Sequence, residues 1–423
     1  MTFMEIALLA ILVIMFVIAT KWPINIGLLG YVGAFIVGAF VLGMSDSEIL
    51  EEFPASIVVT IIGVTFFFSL AQKNGTIDYL VNSLIHRMGS KTSLVPWIFF
   101  FMGAALTAMG TFSPAAVALL VPAAMAFSAR TGFSPVAMGA LIINGAHAGA
   151  FSPISVSGNI VMDIGAKNGL DVNNMGLFIS SFVVNLFISV LTIVAMKVLG
   201  KLHVKPEEHV LDATTGLTTV PNLHKLNWRI VLTLILTAVM VVLAVGFRLN
   251  IGFLGIVLGV ILAFTMLNKT ENLTSGISWN TILLVTGMML YISLLTKAGV
   301  TDSLSHAAMG LGVPIVVALF LCYVIGISSA FASSTALITA FVPMAAPLLE
   351  GSNLSPTAVL AALAISATIV DVSPVSTNGA LVIASTQGRA KKTIWKDLVV
   401  YAGFVILIAP LIAWAILVPT GIM

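Results

Sequence analysis

Charge is what this sequence has least of. Lys, Arg, Asp and Glu make up 8% of its 423 residues, against 59% hydrophobic ones, and the mean hydropathy is +1.15. Soluble domains keep about a quarter of their residues charged, so a water-soluble fold is excluded. Cysteine is nearly absent too. Cys322 stands alone, which rules out an internal disulfide and a cysteine-based metal site and leaves it as a small core residue. The net charge of +2, with no basic patch interleaved with aromatics, excludes a nucleic-acid partner. The first apolar run, Ile6 to Ala19, has no basic residue before it, carries Glu5 instead and has no small-x-small cleavage site. It reads as a retained span rather than a signal peptide.

What the chain has in abundance is apolar runs of about 20 residues, enough to cross roughly 30 Å of hydrocarbon. The expectation is an all-α polytopic membrane protein in a lipid bilayer. Spans are predicted at 5–20, 24–44 and 55–71, followed by an amphipathic stretch at 76–90. A hairpin at 93–130, its arms meeting at Thr111-Phe-Ser-Pro114, precedes a broken span at 134–160 and an unbroken one at 176–199. After a polar linker at 201–227 the pattern starts again. Spans at 228–248, 251–268 and 279–296 lead through a polar stretch at 297–312 to a hairpin at 313–350. A broken span at 356–385 and a last span at 397–420 complete it.

The two halves align residue by residue. Asn25-Ile26-Gly27 recurs as Asn250-Ile251-Gly252, and Lys73-x-Gly75-x-x-Asp78 as Lys297-x-Gly299-x-x-Asp302. At a constant shift of 221, Val121-Pro122 becomes Val342-Pro343, Ser134-Pro135 becomes Ser355-Pro356, and Ser152-Pro153-x-Ser155 becomes Ser373-Pro374-x-Ser376. So many pairs in the same order mean a duplication.

Each half has five full crossings, because a re-entrant hairpin enters and leaves on one side. Five is odd, so the second copy must be inverted. With both termini outside, all of the 18 Lys and Arg except Lys167, Arg248 and Lys297 fall inside, while Asp46, Glu48, Glu51 and Glu52 fall outside. The positive-inside rule demands this distribution for a bacterial-type inner membrane. The predicted units are inverted repeat 1 at 1–200, a cytoplasmic linker at 201–227 and inverted repeat 2 at 228–423.

Helix-breaking polar residues recur at matched places within these apolar segments, and irregular backbone at membrane depth is tolerated only where it is buried in protein or lines a cavity. Inverted repeats with discontinuous helices point to the midplane site of a secondary transporter. A helix starting there offers N–H groups to a carboxylate, and one ending there offers carbonyls to a cation such as Na⁺. Ser113-Pro114 has the N-cap-then-proline pattern of a helix start, and Ser334 and Thr335 offer hydroxyl caps to the equivalent arm. In the broken spans, Ser152, Ser155, Ser157 and Asn159 are matched with Ser373, Ser376, Thr377 and Asn378 as hydroxyl or amide ligands. For any one break alone, a kink or close-packing device is the plainer reading; the matched pairs favour a site.

Two ionisable residues lie at depth, Asp371 before the second break and His147 before the first, in Asn144-Gly-Ala-His-Ala-Gly149. An intramembrane carboxylate reads as functional by default, here as a ligand for a coupling cation or a proton carrier; its plain alternative is a cap at a cavity mouth. His147 is either a hydrogen-bonded, neutral packing histidine or a proton or substrate contact, the proton role being a relay with Asp371.

The pattern Ser333-Ser-Thr335-Ala-x-x-x-x-x-Val-Pro343 resembles the Ser-Asn-Thr hairpin tip of the divalent anion/sodium symporter family. Ser373-Pro-Val-Ser-Thr-Asn378 is similar to that family's Pro-Val-Ala-Thr-Pro-Pro-Asn break. The N-terminal half, through Gly149-Ala-Phe-Ser-Pro-Ile-Ser-Val-Ser-Gly-Asn159, looks like the MatC-type dicarboxylate (malonate) carriers of the ion transporter superfamily. The resemblance implies an elevator-type carrier, a homodimer, whose hairpin tips touch substrate carboxylates while tip and break carbonyls hold Na⁺. Carried over, the substrate residues would be Ser113, Pro114, Ser155, Ser157, Asn159, Ser333, Ser334, Thr335, Ser376, Thr377 and Asn378. Those for the coupling ion, Na⁺ or H⁺, would be Ser113, Asn144, Gly149, Ser334, Asp371 and Ser373. The chain departs from the symporters in having Phe112 and Pro114 at its first tip, in lacking the tip Asn, and in carrying Asp371.

The function expected is secondary active transport of a small dicarboxylate of the malonate or succinate class, driven by Na⁺ or H⁺, with no organic cofactor and no enzymatic activity. The alternatives are a cation/proton antiporter and the membrane subunit of a tripartite dicarboxylate transporter. A channel fits the broken spans less well, and an intramembrane enzyme would have only His147 and Asp371, on opposite halves, as titratable groups.

Overall fold

The computed structural model describes residues 2–22, 24–77, 79–80, 83, 94–203, 226–247, 249–266, 272–300, 303, 313–330, 334–349, 352–386 and 390–421. Every element named among them is a helix, and one isolated bridge joins Phe133 to His203. The first half runs α1 (Phe3–Lys21), α2 (Ile26–Phe35, continued by a π turn at Ile36–Val41), α3 (Asp46–Glu51) and α4 (Ala55–Lys73). It continues with α5 (Val95–Ala108), α6 (Ser113–Thr131), α7 (Pro135–Gly149), α8 (Val156–Lys167) and α9 (Asn174–Val198). The second half holds α10 (Trp228–Val241, continued by a π turn at Val242–Gly246), α11 (Ile251–Phe264), α12 (Trp279–Lys297), α13 (Pro314–Ser329) and α14 (Ser334–Phe341). It ends with α15 (Ala346–Leu349), α16 (Pro356–Ile369), α17 (Thr377–Ser385) and α18 (Ala390–Leu417). Most of the amphipathic stretch, of the linker and of 297–312 lies outside the described residues.

Four helical segments, Ala55–Lys73, Asn174–Val198, Trp279–Lys297 and Thr393–Leu417, are long and apolar enough to cross a membrane by length and composition. The breaks fall inside the predicted spans: α7 stops at Gly149 and α8 resumes at Val156, while α16 stops at Ile369 and α17 resumes at Thr377. Sequence accounts for the local stops and starts. Ser134 and Ser355 cap α7 and α16 through their side chains, each followed by Pro at the first helical position, where its missing N–H is not needed.

The second hairpin differs from its prediction. The arm after Pro122 is one unbroken helix, α6, but the matched arm is α14, a 3-10 turn at Pro343–Ala345 and α15. Pro343 alone does not explain this, since Pro122 occupies the same place. Pro347 follows four residues later and removes a second backbone donor, where the first arm has Ala126.

The halves interlock through their glycines. Gly27 and Gly30 of α2 lie on the backbone of α12 at Leu283 and Gly287, and Gly252 and Gly255 of α11 lie on the backbone of α4 at Val59 and Gly63. A methyl group at any of the four would overlap main-chain atoms of the partner helix; small residues let membrane helices approach this closely. The repeated Asn-Ile-Gly thus marks one crossing made twice. Asn25 caps α2 and reaches across it, its Nδ2 donating to Asn280 O at 2.8 Å. One apolar core runs through both halves, and a second joins α1 and α2 to α12, with Ala336 and Ala340 of α14 against it.

Candidate functional site

The two breaks have the same backbone. Ala150, Ser152 and Ser155 donate to His147 O, Gly149 O and Ser152 O, and Asp371, Ser373 and Ser376 donate to Thr368 O, Val370 O and Ser373 O, all at 3.0–3.1 Å. Ser155 caps α8: its Oγ accepts from Gly158 N at 3.1 Å and donates to Ala150 O and Ser152 O at 2.5 and 2.7 Å. Ser376 caps α17 in the same way, accepting from Gly379 N at 3.2 Å and donating to Asp371 O and Ser373 O at 2.6 and 2.7 Å. A Cβ on Gly158 or Gly379 would overlap the carbonyl of Ser152 or Ser373, so glycine is required three residues after each cap.

This superposition corrects two sequence matches, Ser157 with Thr377 and Asn159 with Asn378. With Ser155 on Ser376, Thr377 is the counterpart of Val156 and Asn378 that of Ser157, so Asn159 has Ala380 opposite it. Asn159 folds back instead, its Nδ2 donating to Pro153 O and Ser155 O at 3.1 and 2.7 Å. The start of the first hairpin arm is corrected as well. The cap of α6 is Phe112, with no side-chain cap bond, and Ser113 and Pro114 occupy its first two positions. Ser113 Oγ is therefore free of capping and accepts instead from Asn378 Nδ2 at 3.4 Å. The chain reaches this tip through Gly110, at φ +110°, where a side chain would also strike the Phe68 ring.

Both tips and both breaks meet at one cavity of about 490 Å³. Its lining includes Phe112, Ser113 and Pro114 from the first tip, Ser334 and Thr335 from the second, His147, Ala150 and Ser157 around the first break, and Thr368, Asp371, Ser376 and Thr377 around the second. The remaining wall comes from α1, the α1–α2 turn and the start of α12, with Asn25, Asn280 and Thr281 as its polar residues. The first turns of four helices, α6, α8, α14 and α17, thus contribute to one space. So do the last turns of α7 and α16, through His147 and Thr368. No Lys or Arg is among the lining residues described.

At its wall, side chains from both halves touch. Asn378 Nδ2 donates to Asp371 Oδ2 at 2.8 Å and lies 3.5 Å from His147 Nε2. His147 Nε2 is 3.5 Å from the same Asp371 oxygen. Asn378 and His147 are buried and Asp371 is partly open to the cavity. Asn378 Oδ1 and His147 Nδ1 have no hydrogen-bond partner among the described residues.

Other predicted positions lie elsewhere. Ser333 is outside the described residues. Asn144 faces α9, donating to Ser189 Oγ at 3.1 Å. Gly149 packs on the Ala104 carbonyl of α5, and its own carbonyl accepts from Ser152 N. The Ser155 hydroxyl is taken up by the cap, and the Ser373 hydroxyl accepts from Val375 N at 3.3 Å. Asn159 belongs to a second cavity of about 830 Å³, with Asp163, Asp171, Asn173, Asn250 and Thr357. Sequence reading missed Asn25, Asn280, Thr281 and Thr368. Asn25 carried a signal, the repeated Asn-Ile-Gly, but one that read only as a mark of duplication.

The residues fit a hard monovalent cation in their donor type, since Asp371 and Asn378 Oδ1 offer oxygen beside the carbonyl ends of α7 and α16. Among the described residues no group of three or more His, Cys, Asp or Glu assembles for a transition metal.

Comparison with known proteins reaches the same class. Residues 1–150 match the family model of the dicarboxylate carrier protein MatC N-terminus, and residues 248–422 match that of the citrate transporter. No curated protein matches the chain. The two family matches bear out the resemblance and indicate a membrane transporter of the dicarboxylate/citrate type.

Proposed function

We propose that the chain carries a small dicarboxylate of the malonate or succinate class across a bacterial-type inner membrane, coupled to Na⁺ or H⁺. The observation that carries this reading is the convergence of four helix N-termini on one cavity whose described lining holds no cationic side chain. A helix N-terminus carries a partial positive charge, the fitting partner for a carboxylate. Substrate contacts fall to Ser113, Ser157, Ser334, Thr335 and Thr377, the Ser376 hydroxyl being taken up by its cap like that of Ser155; Asp371 and Asn378 serve the cation.

Alternating access by an elevator movement of the hairpins and breaks is part of the proposal, and inverted repeats support it. The start of α2 lies beside that of α12 through Asn25 and Asn280, while the start of α11 lies on that of α4. Since α2 crosses before α3 and α4 begin, the two pairs of starts belong to opposite faces. The equivalent helices α4 and α12 then run in opposite senses. In this proposal the cavity lined by tips and breaks opens toward the cytoplasm, with both termini outside, the orientation that the positive-inside rule favours. A homodimer completes the proposal.

Citrate is the second reading, favoured by the family match of residues 248–422. Uptake of labelled malonate, succinate and citrate into liposomes, under separately imposed Na⁺ and H⁺ gradients, tests both. Gradient-driven uptake of the dicarboxylates above citrate supports the first reading, and the reverse order the second. Na⁺ moving against a pH gradient without carboxylate flux would replace both with an antiporter.

A further inference from the structure

The charge balance of the cavity deepens the carrier reading, on which it rests. Among the described lining residues only His147 and Asp371 are ionisable, and at membrane depth an unbalanced charge is expensive even beside hydroxyl and amide groups. The four helix starts supply about half a positive charge each, which matches the two carboxylates of the substrate and leaves nothing for Asp371. The carbonyl ends of α7 and α16 add to the negative side. Asn378 and His147 meet Asp371 Oδ2 at 2.8 and 3.5 Å. An amide donor lowers the cost of the carboxylate but does not cancel its charge. The duplication makes this a single charge. Ala150 stands in the first break where Asp371 stands in the second, and both line the cavity.

We propose that Asp371 sets the number of monovalent cations carried with each substrate. Its carboxylate takes up one cation as the substrate binds and gives it up on release. Two kinds of cation fit the same chemistry. A sodium ion would rest between Asp371 and the unpartnered Asn378 Oδ1; a proton would be shared between Asp371 and His147. Either way Asp371 accounts for one cation in the cycle, and a neutral side chain of equal size removes that one and no other.

The test is a reversal-potential measurement on the purified full chain in liposomes. Labelled malonate or succinate is loaded, and net flux is nulled against imposed membrane potential, Na⁺ gradient and H⁺ gradient in separate arms. The arm that shifts the null point names the cation, and the size of the shift gives cations per substrate. Asp371→Asn should lower that number by one, and Asp371→Glu and Ala150→Asn should leave it unchanged. If Asp371→Asn does not fold, Asp371→Ser gives the same reading. Equal numbers in wild type and the neutral variants would overturn the inference and leave the carrier reading standing. Absence of carboxylate flux in the wild type would overturn the carrier reading and the inference with it.

Discussion

The two breaks share one backbone and differ in their side chains. Capping serine, turn hydrogen bonds and third-position glycine recur in both. Around that frame, His147 faces Thr368 as its counterpart, Ala150 faces Asp371, Val156 faces Thr377 and Ser157 faces Asn378. The same geometry occurs twice, and the chemistry is divided between the two breaks. The first break brings the imidazole and the second the carboxylate and the amide, and they meet because both breaks face one cavity. A pair of identical copies would place like charges together, which is costly at membrane depth.

The sharpest way to break this comparison is at the glycines. Gly379→Ala and Gly158→Ala each force a methyl into a loop carbonyl, and overpacking of this kind costs about 1–3 kcal/mol. The overlap is more severe at Gly379. Thermal unfolding in detergent should show both variants destabilised, Gly379→Ala more so. A silent Gly379→Ala would mean the break is not built as described.

The capping serines come next. Ser155→Ala and Ser376→Ala should each cost about 1 kcal/mol, and by similar amounts, because their bonds match within 0.1 Å. Unequal losses in the same melting assay would show that the frames are not equivalent. Side-chain differences should appear in transport instead. Thr377→Val, which gives the second break the residue of the first, should weaken substrate affinity several-fold with little change in melting temperature. Unchanged affinity would take Thr377 out of the substrate's reach.

The smallest effect belongs to a pair far from both breaks. Lys297 Nζ lies 2.6 Å from Glu52 Oε1, and Ser293 donates to the same carboxylate. Partial burial would raise the Glu52 pKa, but the hydrogen bonds of Lys297 and Ser293 and the lysine charge outweigh it and hold it below the usual carboxylate range. Its contribution is therefore present above the ordinary glutamate pKa and is lost as pH falls through the lowered value. Glu52→Gln should cost under about 1 kcal/mol near neutrality, and the difference from wild type should vanish in acid. A difference that persists in acid would assign the effect to packing instead.

Much of this was legible in the sequence because it depends on local chemistry. Ser-Pro pairs start α7 and α16, the Ser-Pro-x-Ser motifs mark both breaks, and the constant shift of 221 exposes the duplication. What was not legible depends on contacts between positions that are not equivalent. Aligning repeats pairs His147 with Thr368, so the approach of His147 to Asp371 has no counterpart along the chain. The cap of α6 was misplaced by one residue because Ser-Pro satisfies the pattern at Ser113 as well as at Ser134, and only the turn from Gly110 decides between them. Asn159 was matched to Asn378 on residue type, whereas the cap bonds fix the register and send Asn159 to the other cavity.

The central claim is that both breaks line one substrate site. Its most direct test is protection of single cysteines at 157, 377 and 159 from a maleimide by saturating malonate or succinate, with buried Cys322 left in place. Substrate should slow labelling of Ser157→Cys and Thr377→Cys together and leave Asn159→Cys unaffected. Protection at only one break, or equal protection at position 159, would contradict a shared site.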